Sequence, residues 1–241
     1  MKVEQARDVP AGYVHGPAAA TDGLRAALAK TTDPVAMILV EGVSDQIAVE
    51  TVASRCGRDL TTERIAVVPI GGASAMRGVL STYASATQCL VALCDADEVA
   101  QVRRGIDASG LAVAVFVCDP DLEAELIRAV GVDRVLAVLD RHGDHGSFVT
   151  LQKQVAWRGQ AVDAQLHRFI GAGARRKLRY ARLLSDAAAD IDRVPQPLSE
   201  VLDATVDGGH PRPRQLGCRP QVEISTGLPT SVSGSSSTAR K

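Results

Sequence analysis

At 241 residues the chain has room for one large domain, or for one compact domain with appendages. Its 27 basic and 28 acidic residues leave a formal net charge of −1, so a global affinity for nucleic acid is excluded and any such site must be a local patch. Aromatic residues make up only 3% of the chain, which argues against a platform for stacked bases, whereas 46% hydrophobic residues are ample for an aliphatic core. The five cysteines (Cys56, Cys89, Cys94, Cys118 and Cys218) are odd in number and lack C-x-x-C spacing. They read as reduced thiols, as in the cytoplasm. The N-terminal stretch has no apolar core of a signal peptide. No run approaches the roughly 18 apolar residues that span a bilayer, so a cytoplasmic protein without a membrane partner is expected.

Residues 1–34 are polar and broken by Pro10, Gly16 and Pro17, and they read as an N-terminal extension with a short helix around 23–30. From there strands and helices alternate. The apolar run "VAMILVE" (35–41) has the continuous character of a strand buried on both faces. "SDQIAVETVASRCG" carries Ile47, Val49, Val52 and Ala53 at helical spacing, with Gly57 suited to its end. A second strand is expected at "RIAVVPI" (64–70), where Pro69 limits pairing, and a second helix at "ASAMRGVLSTYASA". The third pair is "CLVALCDAD" (89–97) and "EVAQVRRGIDASG". The fourth is "LAVAVFVCD" (111–119) and "PDLEAELIRAVG".

Such alternation means βαβ units, hence an α/β domain built on a parallel sheet flanked by helices. The expected organisation is that domain at 35–131, a helical C-terminal region at 132–206 and a tail at 207–241. The tail is rich in Gly, Pro and Ser, a composition expected to be disordered.

Ligands of an open parallel sheet bind at the carboxyl ends of its strands. Here the first strand ends on Glu41 and the third on Asp95 and Asp97, while the fourth runs into Asp121 and Glu123. Asp45 falls in the first turn of the helix that follows the first strand. Like charges gathered this closely repel, and their desolvation is costly. A divalent cation removes both problems, and carboxylate oxygens suit Mg²⁺ or Mn²⁺. Six acids exceed the needs of one ion, so a two-metal arrangement is expected, of the kind that activates water in phosphodiester cleavage. Taken singly, Asp45, Asp121 and Glu123 are ordinary helix-start acids. Glu41 is not, because a carboxylate closing an apolar strand serves no propensity.

The run "ILVEGVSD", then "VPIGG", then "LVALCDADE" resembles a Toprim domain, the metal-dependent module shared by topoisomerases, bacterial primases and several nucleases. The E-G-x-S-D form and the later "DLEAEL" resemble more specifically the Toprim half of OLD (overcoming lysogenization defect) nucleases, over roughly residues 35–203. The resemblance implies a Toprim-like, Rossmann-like fold and divalent-metal-dependent hydrolysis of nucleic acid, DNA ahead of RNA. Glu41 would be general acid/base or metal ligand. Asp45, Asp95 and Asp97 would hold metal, and Asp121 and Glu123 would complete the second site. The family's late lysine falls on Lys177, which shares a helical face with Tyr180, Ala181 and Leu184. Arg175, Arg179 and Arg182 form a separate stripe, expected to face outward onto the nucleic acid, with Arg103 and Arg104 as further backbone contacts. OLD nucleases usually carry an ATPase domain ahead of the Toprim domain. Only 34 residues precede the first strand here and no G-x-x-x-x-G-K-[ST] occurs, so action alone or with a separate ATPase subunit is expected. A homodimer is compatible with the resemblance. Nucleotidyl transfer, RNA processing and a non-catalytic binding module are the rival readings.

Other features carry less. His142 and His145 read as a polar turn, and His167 as an ordinary helix residue. Gly71 and Gly72 read as a tight turn, or more weakly as a place where backbone meets phosphate. The tyrosines (Tyr13, Tyr83 and Tyr180) do not suggest a strand-passing nucleophile, since no domain is left to present one.

Overall fold

The computed structural model describes residues 9–13, 18–31, 33–84 and 89–206. The expected tail from Asp207 onward lies outside the described residues, as do the last two positions of the helix expected to run to Ala86. Helix α1 (Ala19–Lys30) precedes strand β1 (Ala36–Val40) and helix α2 (Val43–Arg55). Next come β2 (Ile65–Pro69), α3 (Met76–Tyr83), β3 (Cys89–Asp95), α4 (Val99–Asp107), β4 (Ala114–Cys118) and α5 (Leu122–Val130). The remainder is helical: α6 (Val132–Arg141), α7 (His145–Gln152), α8 (Val162–Gly171), α9 (Ala174–Asp190) and α10 (Gln196–Ala204).

The four strands form one sheet in the order β2-β1-β3-β4. Every pairing is parallel, with Val40 opposite both Pro69 and Leu93, and Asp95 opposite Cys118. All four carboxyl ends therefore lie along one edge. β1 pairs on both sides, which is why its five residues are all buried and its sequence lacks the polar alternation of a half-exposed strand. Its period of two still shows in packing. Ala36, Ile38 and Val40 face one core, with α2, α5, α8, α9 and α10. Met37 and Leu39 face the other, with α1, α3 and α4. The result is a three-layer sandwich of helices, sheet and helices. Pro69 interrupts less than expected. β2 is an edge strand, and the next residue, Ile70, donates its N–H to Val40 O at 2.8 Å.

The helical C-terminal region shares the first of these cores. Tyr180, Leu184, Leu198, Val201 and Leu202 are fully buried in the same cluster as Ile38 and Val91. α9 packs against α2, α5, α6 and α8, and α10 against α2, β3 and β4. Cys89, Cys94 and Cys118 are free and buried inside strands. Cys56 follows the last residue of α2 and is half-buried. No helix among the described residues is long and apolar enough to cross a membrane.

Candidate metal centre at the carboxyl edge of the sheet

Glu41 leaves β1 at the sheet edge, and its backbone is clamped from the neighbouring strand. Gly71 and Gly72 donate their N–H groups to Glu41 O at 3.0 and 3.2 Å. Both glycines have positive φ, +82° and +98°, which side-chain-bearing residues rarely adopt. The Gly-Gly turn after β2 thus spends its N–H groups on holding Glu41 and not on a phosphate. Asp45 sits one turn into α2, where its Oδ2 accepts the Gly42 N–H at 2.9 Å. That bond is an ordinary helix-start contact. It also fixes a carboxylate that is only 7% exposed.

Asp95 closes β3, and its Oδ1 accepts the Leu122 N–H at 3.2 Å, tying the third strand to the start of α5. Asp121 caps α5: its Oδ1 accepts the Ala124 N–H at 2.9 Å. Two residues further, Glu123 is 5% exposed, and its Oε2 receives Lys177 Nζ at 3.2 Å. Two carboxylate oxygens at this edge, Glu41 Oε2 and Glu123 Oε1, are buried with no hydrogen-bond partner. A buried carboxylate oxygen without a donor is costly, and a cation is the natural way to satisfy it.

The charges feel one another. Burial pushes the Glu41 carboxyl up to about 7, with Asp45, Asp95 and Glu98 adding to the effect and Lys177 opposing it. Asp95 is pushed up to about 7 by burial, then by Asp45 and Asp121 against Lys177. Asp45 is pushed up to about 6 by burial, Lys177 working against it and Glu123 with it. Glu123 is raised by burial, again with Lys177 opposing. Burial works against the Lys177 ammonium, but Glu123, Asp45 and Asp95 outweigh it and hold the lysine protonated. Lys177, carried by α9, is therefore the resident cation of an acidic cluster.

Not every expected residue joins. Asp97 lies in a single 3₁₀ turn, Ala96–Glu98, and is exposed. Glu98, the acid after it, turns back to the edge: its Oε2 accepts the Ala73 N–H at 2.9 Å and its charge acts on Glu41. His167, on α8, meets Asp121 with Nε2 at 2.6 Å from Oδ2. Arg179 requires a correction. It is 7% exposed and ion-paired with Asp144, whose Oδ2 also accepts the Tyr180 hydroxyl at 2.8 Å. A helix with one inward face would present it to solvent, but α9 is packed from several sides, and its buried arc is wide enough to include position 179. Arg175 and Arg182 are exposed, Arg182 lying 3.8 Å from Asp186.

Among the described residues no three His, Cys, Asp or Glu side chains stand close enough to be a ready-made metal-binding group. Asp45 and Asp121 are turned to their helix starts and Glu123 to Lys177, as mutual repulsion between carboxylates favours. The donor set still fits Mg²⁺ or Mn²⁺ in kind, being oxygen from carboxylates, with two buried oxygens awaiting a partner.

Residues 35–97 match the family model described as "Overcoming lysogenization defect protein-like, TOPRIM domain". A search of the curated proteins finds no match. Among solved structures, the chain is similar to the C-terminal region of the Burkholderia pseudomallei OLD protein, at 16% identity and a TM-score of 0.49, covering 73% of this chain and 99% of that one. It is likewise similar to the C-terminal region of the Xanthomonas campestris pv. campestris OLD protein, at 16% identity and a TM-score of 0.47, covering 73% and 96%. The match spans β1 to the turn after β3, the segment that carries Glu41, Asp45, Asp95 and Asp97, and over residues 35–97 the chain is similar to Toprim domains of the OLD-like type.

Proposed function

We propose that the chain is a divalent-metal-dependent phosphodiesterase acting on nucleic acid, with DNA favoured over RNA. The observation that carries this reading is the pair of buried, partnerless carboxylate oxygens, Glu41 Oε2 and Glu123 Oε1, at one sheet edge beside Lys177. Toprim domains generally bind divalent metals such as Mg²⁺. Glu41, Asp45 and Asp95 would hold one ion, and Asp121 and Glu123 a second, with the exposed Asp97 reaching in only by moving its side chain. Such ions supply Lewis acidity at the phosphodiester and a lowered pKa for bound water. If Glu41 serves as general acid/base instead of holding the ion, its carboxyl, pushed up to about 7 in the metal-free protein, is suited to take up and return a proton near neutral pH. Lys177, released from Glu123, would bring its ammonium to the charge that builds on the phosphate. Arg175 and Arg182 are exposed and suited to backbone phosphates. A separate ATPase subunit and self-association remain part of the proposal.

The test is cleavage of plasmid, single-stranded DNA and RNA with Mg²⁺, Mn²⁺ or EDTA. Metal-dependent cleavage that is lost in Glu41→Gln is expected. Cleavage that survives EDTA, or that Glu41→Gln retains in full, would refute the reading. Metal binding with no cleavage of any substrate would favour a binding module.

A further inference from the structure

The proposed reaction relies on the acids of α5, and the structure shows how each is held. Glu123 Oε2 meets Lys177 from α9 at 3.2 Å. Asp121 Oδ2 meets His167 from α8 at 2.6 Å. Asp121 and Glu123 are thus each matched by a basic side chain from a different helix of the C-terminal region. The two contacts differ in exposure. Lys177 reaches a carboxylate that is 6% exposed, whereas the His167 side chain is 42% exposed over an Asp121 that is 23% exposed. His167 stands at the lip of the cluster.

We infer that His167 is a positioning residue: it holds the Asp121 carboxylate in the orientation that serves the acidic edge. Asp121 Oδ1 is already fixed by the Ala124 N–H at 2.9 Å. That single bond leaves the carboxylate free to swing about it. A second bond at Oδ2, from a ring anchored on another helix, removes the freedom. A carboxylate oxygen accepts, so His167 Nε2 carries the proton, and both the neutral ring and the imidazolium can donate. The helix that carries the ring is well seated. The neighbours of His167 on α8, Leu166, Phe169 and Ile170, are at most 2% exposed, and α8 packs directly on α5. Asp121 acts in turn on Asp95 and Glu123 through its charge. A hydrogen bond to a metal-binding carboxylate from outside the ligand set typically changes metal affinity about 10–100-fold when removed. The same histidine links the Toprim sheet to the helical region, so the second half of the site depends on residues beyond 131.

This inference rests on the metal-dependent reading above, and the experiment separates the two. Mn²⁺ binding to the full chain is followed by electron paramagnetic resonance and calorimetry for wild type, His167→Ala and His167→Gln, with melting temperatures measured alongside. Glutamine places an N–H donor close to the position of Nε2. The expected result is a loss of Mn²⁺ affinity of about 10–100-fold in His167→Ala, an unchanged melting temperature, and recovery of most of the affinity in His167→Gln. Equal affinity in wild type and His167→Ala would overturn the inference. So would a loss that His167→Gln fails to recover, or one that merely follows a lowered melting temperature. Nitrogen hyperfine coupling from His167 on bound Mn²⁺ would make it a ligand and overturn the positioning role. If wild type binds no Mn²⁺, the metal-dependent reading fails and the inference falls with it. If wild type binds Mn²⁺ but cleaves nothing, that reading fails while the role of His167 is still decided by the affinities.

Discussion

Removing the charge at Asp95 while keeping its shape should stabilise the metal-free protein. In Asp95→Asn the side-chain oxygen can still accept the Leu122 N–H, so the link between β3 and α5 survives. What disappears is a half-buried carboxylate that burial, Asp45 and Asp121 push from 3.8 to about 7. Because the folded pKa is raised, the native state holds its proton more tightly than the unfolded chain does. The associated stability is complete below about pH 4 and is lost as pH rises through about 7. That interval spans about three pH units at about 1.4 kcal/mol each, or at most about 4 kcal/mol, and water at the open edge lowers it to about 2–4. For a chain of this size each kcal/mol is worth about 2–4 °C in melting temperature. Differential scanning calorimetry in EDTA should show wild type and Asp95→Asn melting together near pH 4. Near pH 8 the variant should melt about 5–15 °C higher. A variant that melts with wild type at every pH, or below it near pH 8, would refute the electrostatic account and make Asp95 a structural residue.

Arg179→Ala should cost about 3–5 kcal/mol of stability in denaturant unfolding, because it strands the buried Asp144 carboxylate. Arg175→Ala should leave stability unchanged and reduce the salt dependence of nucleic-acid binding. Lys177→Ala leaves Glu123 buried without its cation and should lower stability near pH 8 by about 1–3 kcal/mol, less than for a fully buried pair because the lysine is partly exposed. In cleavage kinetics it should lower kcat more than it raises KM. Gly72→Ala forces a side chain into a backbone conformation essentially reserved for glycine (φ 98°, ψ 156°) and should cost about 1–3 kcal/mol, read as a drop in melting temperature.

The sheet was legible because each strand announces itself locally. The run Met37–Val40 is too apolar for anything but a buried element, and Glu41 after it marks the edge. The acids at strand ends could be placed for the same reason, since parallel topology sends every carboxyl end to one side. What could not be read depends on contacts made across the chain or on turns too short to show a period. The 3₁₀ turn after β3 points Asp97 outward and returns Glu98 to the edge, and a three-residue turn leaves no periodicity from which to tell them apart. His167 looked ordinary because its partner, Asp121, is 46 positions away. Arg179 looked exposed because its spacing matched Arg175 and Arg182. The buried Asp144 that claims it belongs to another helix start, and nothing near Arg179 signals it.

The central claim is that the acids gathered at the carboxyl edge of this sheet hold divalent metal for phosphodiester hydrolysis. The most direct measurement is anomalous diffraction from crystals of the full chain grown with Mn²⁺. The account predicts anomalous density against Glu41, Asp45 and Asp95 and against Asp121 and Glu123, with Glu123 turned away from Lys177 and the orphaned oxygens Glu41 Oε2 and Glu123 Oε1 engaged. Mn²⁺ bound only elsewhere on the protein, with the Lys177–Glu123 pair undisturbed, would contradict it.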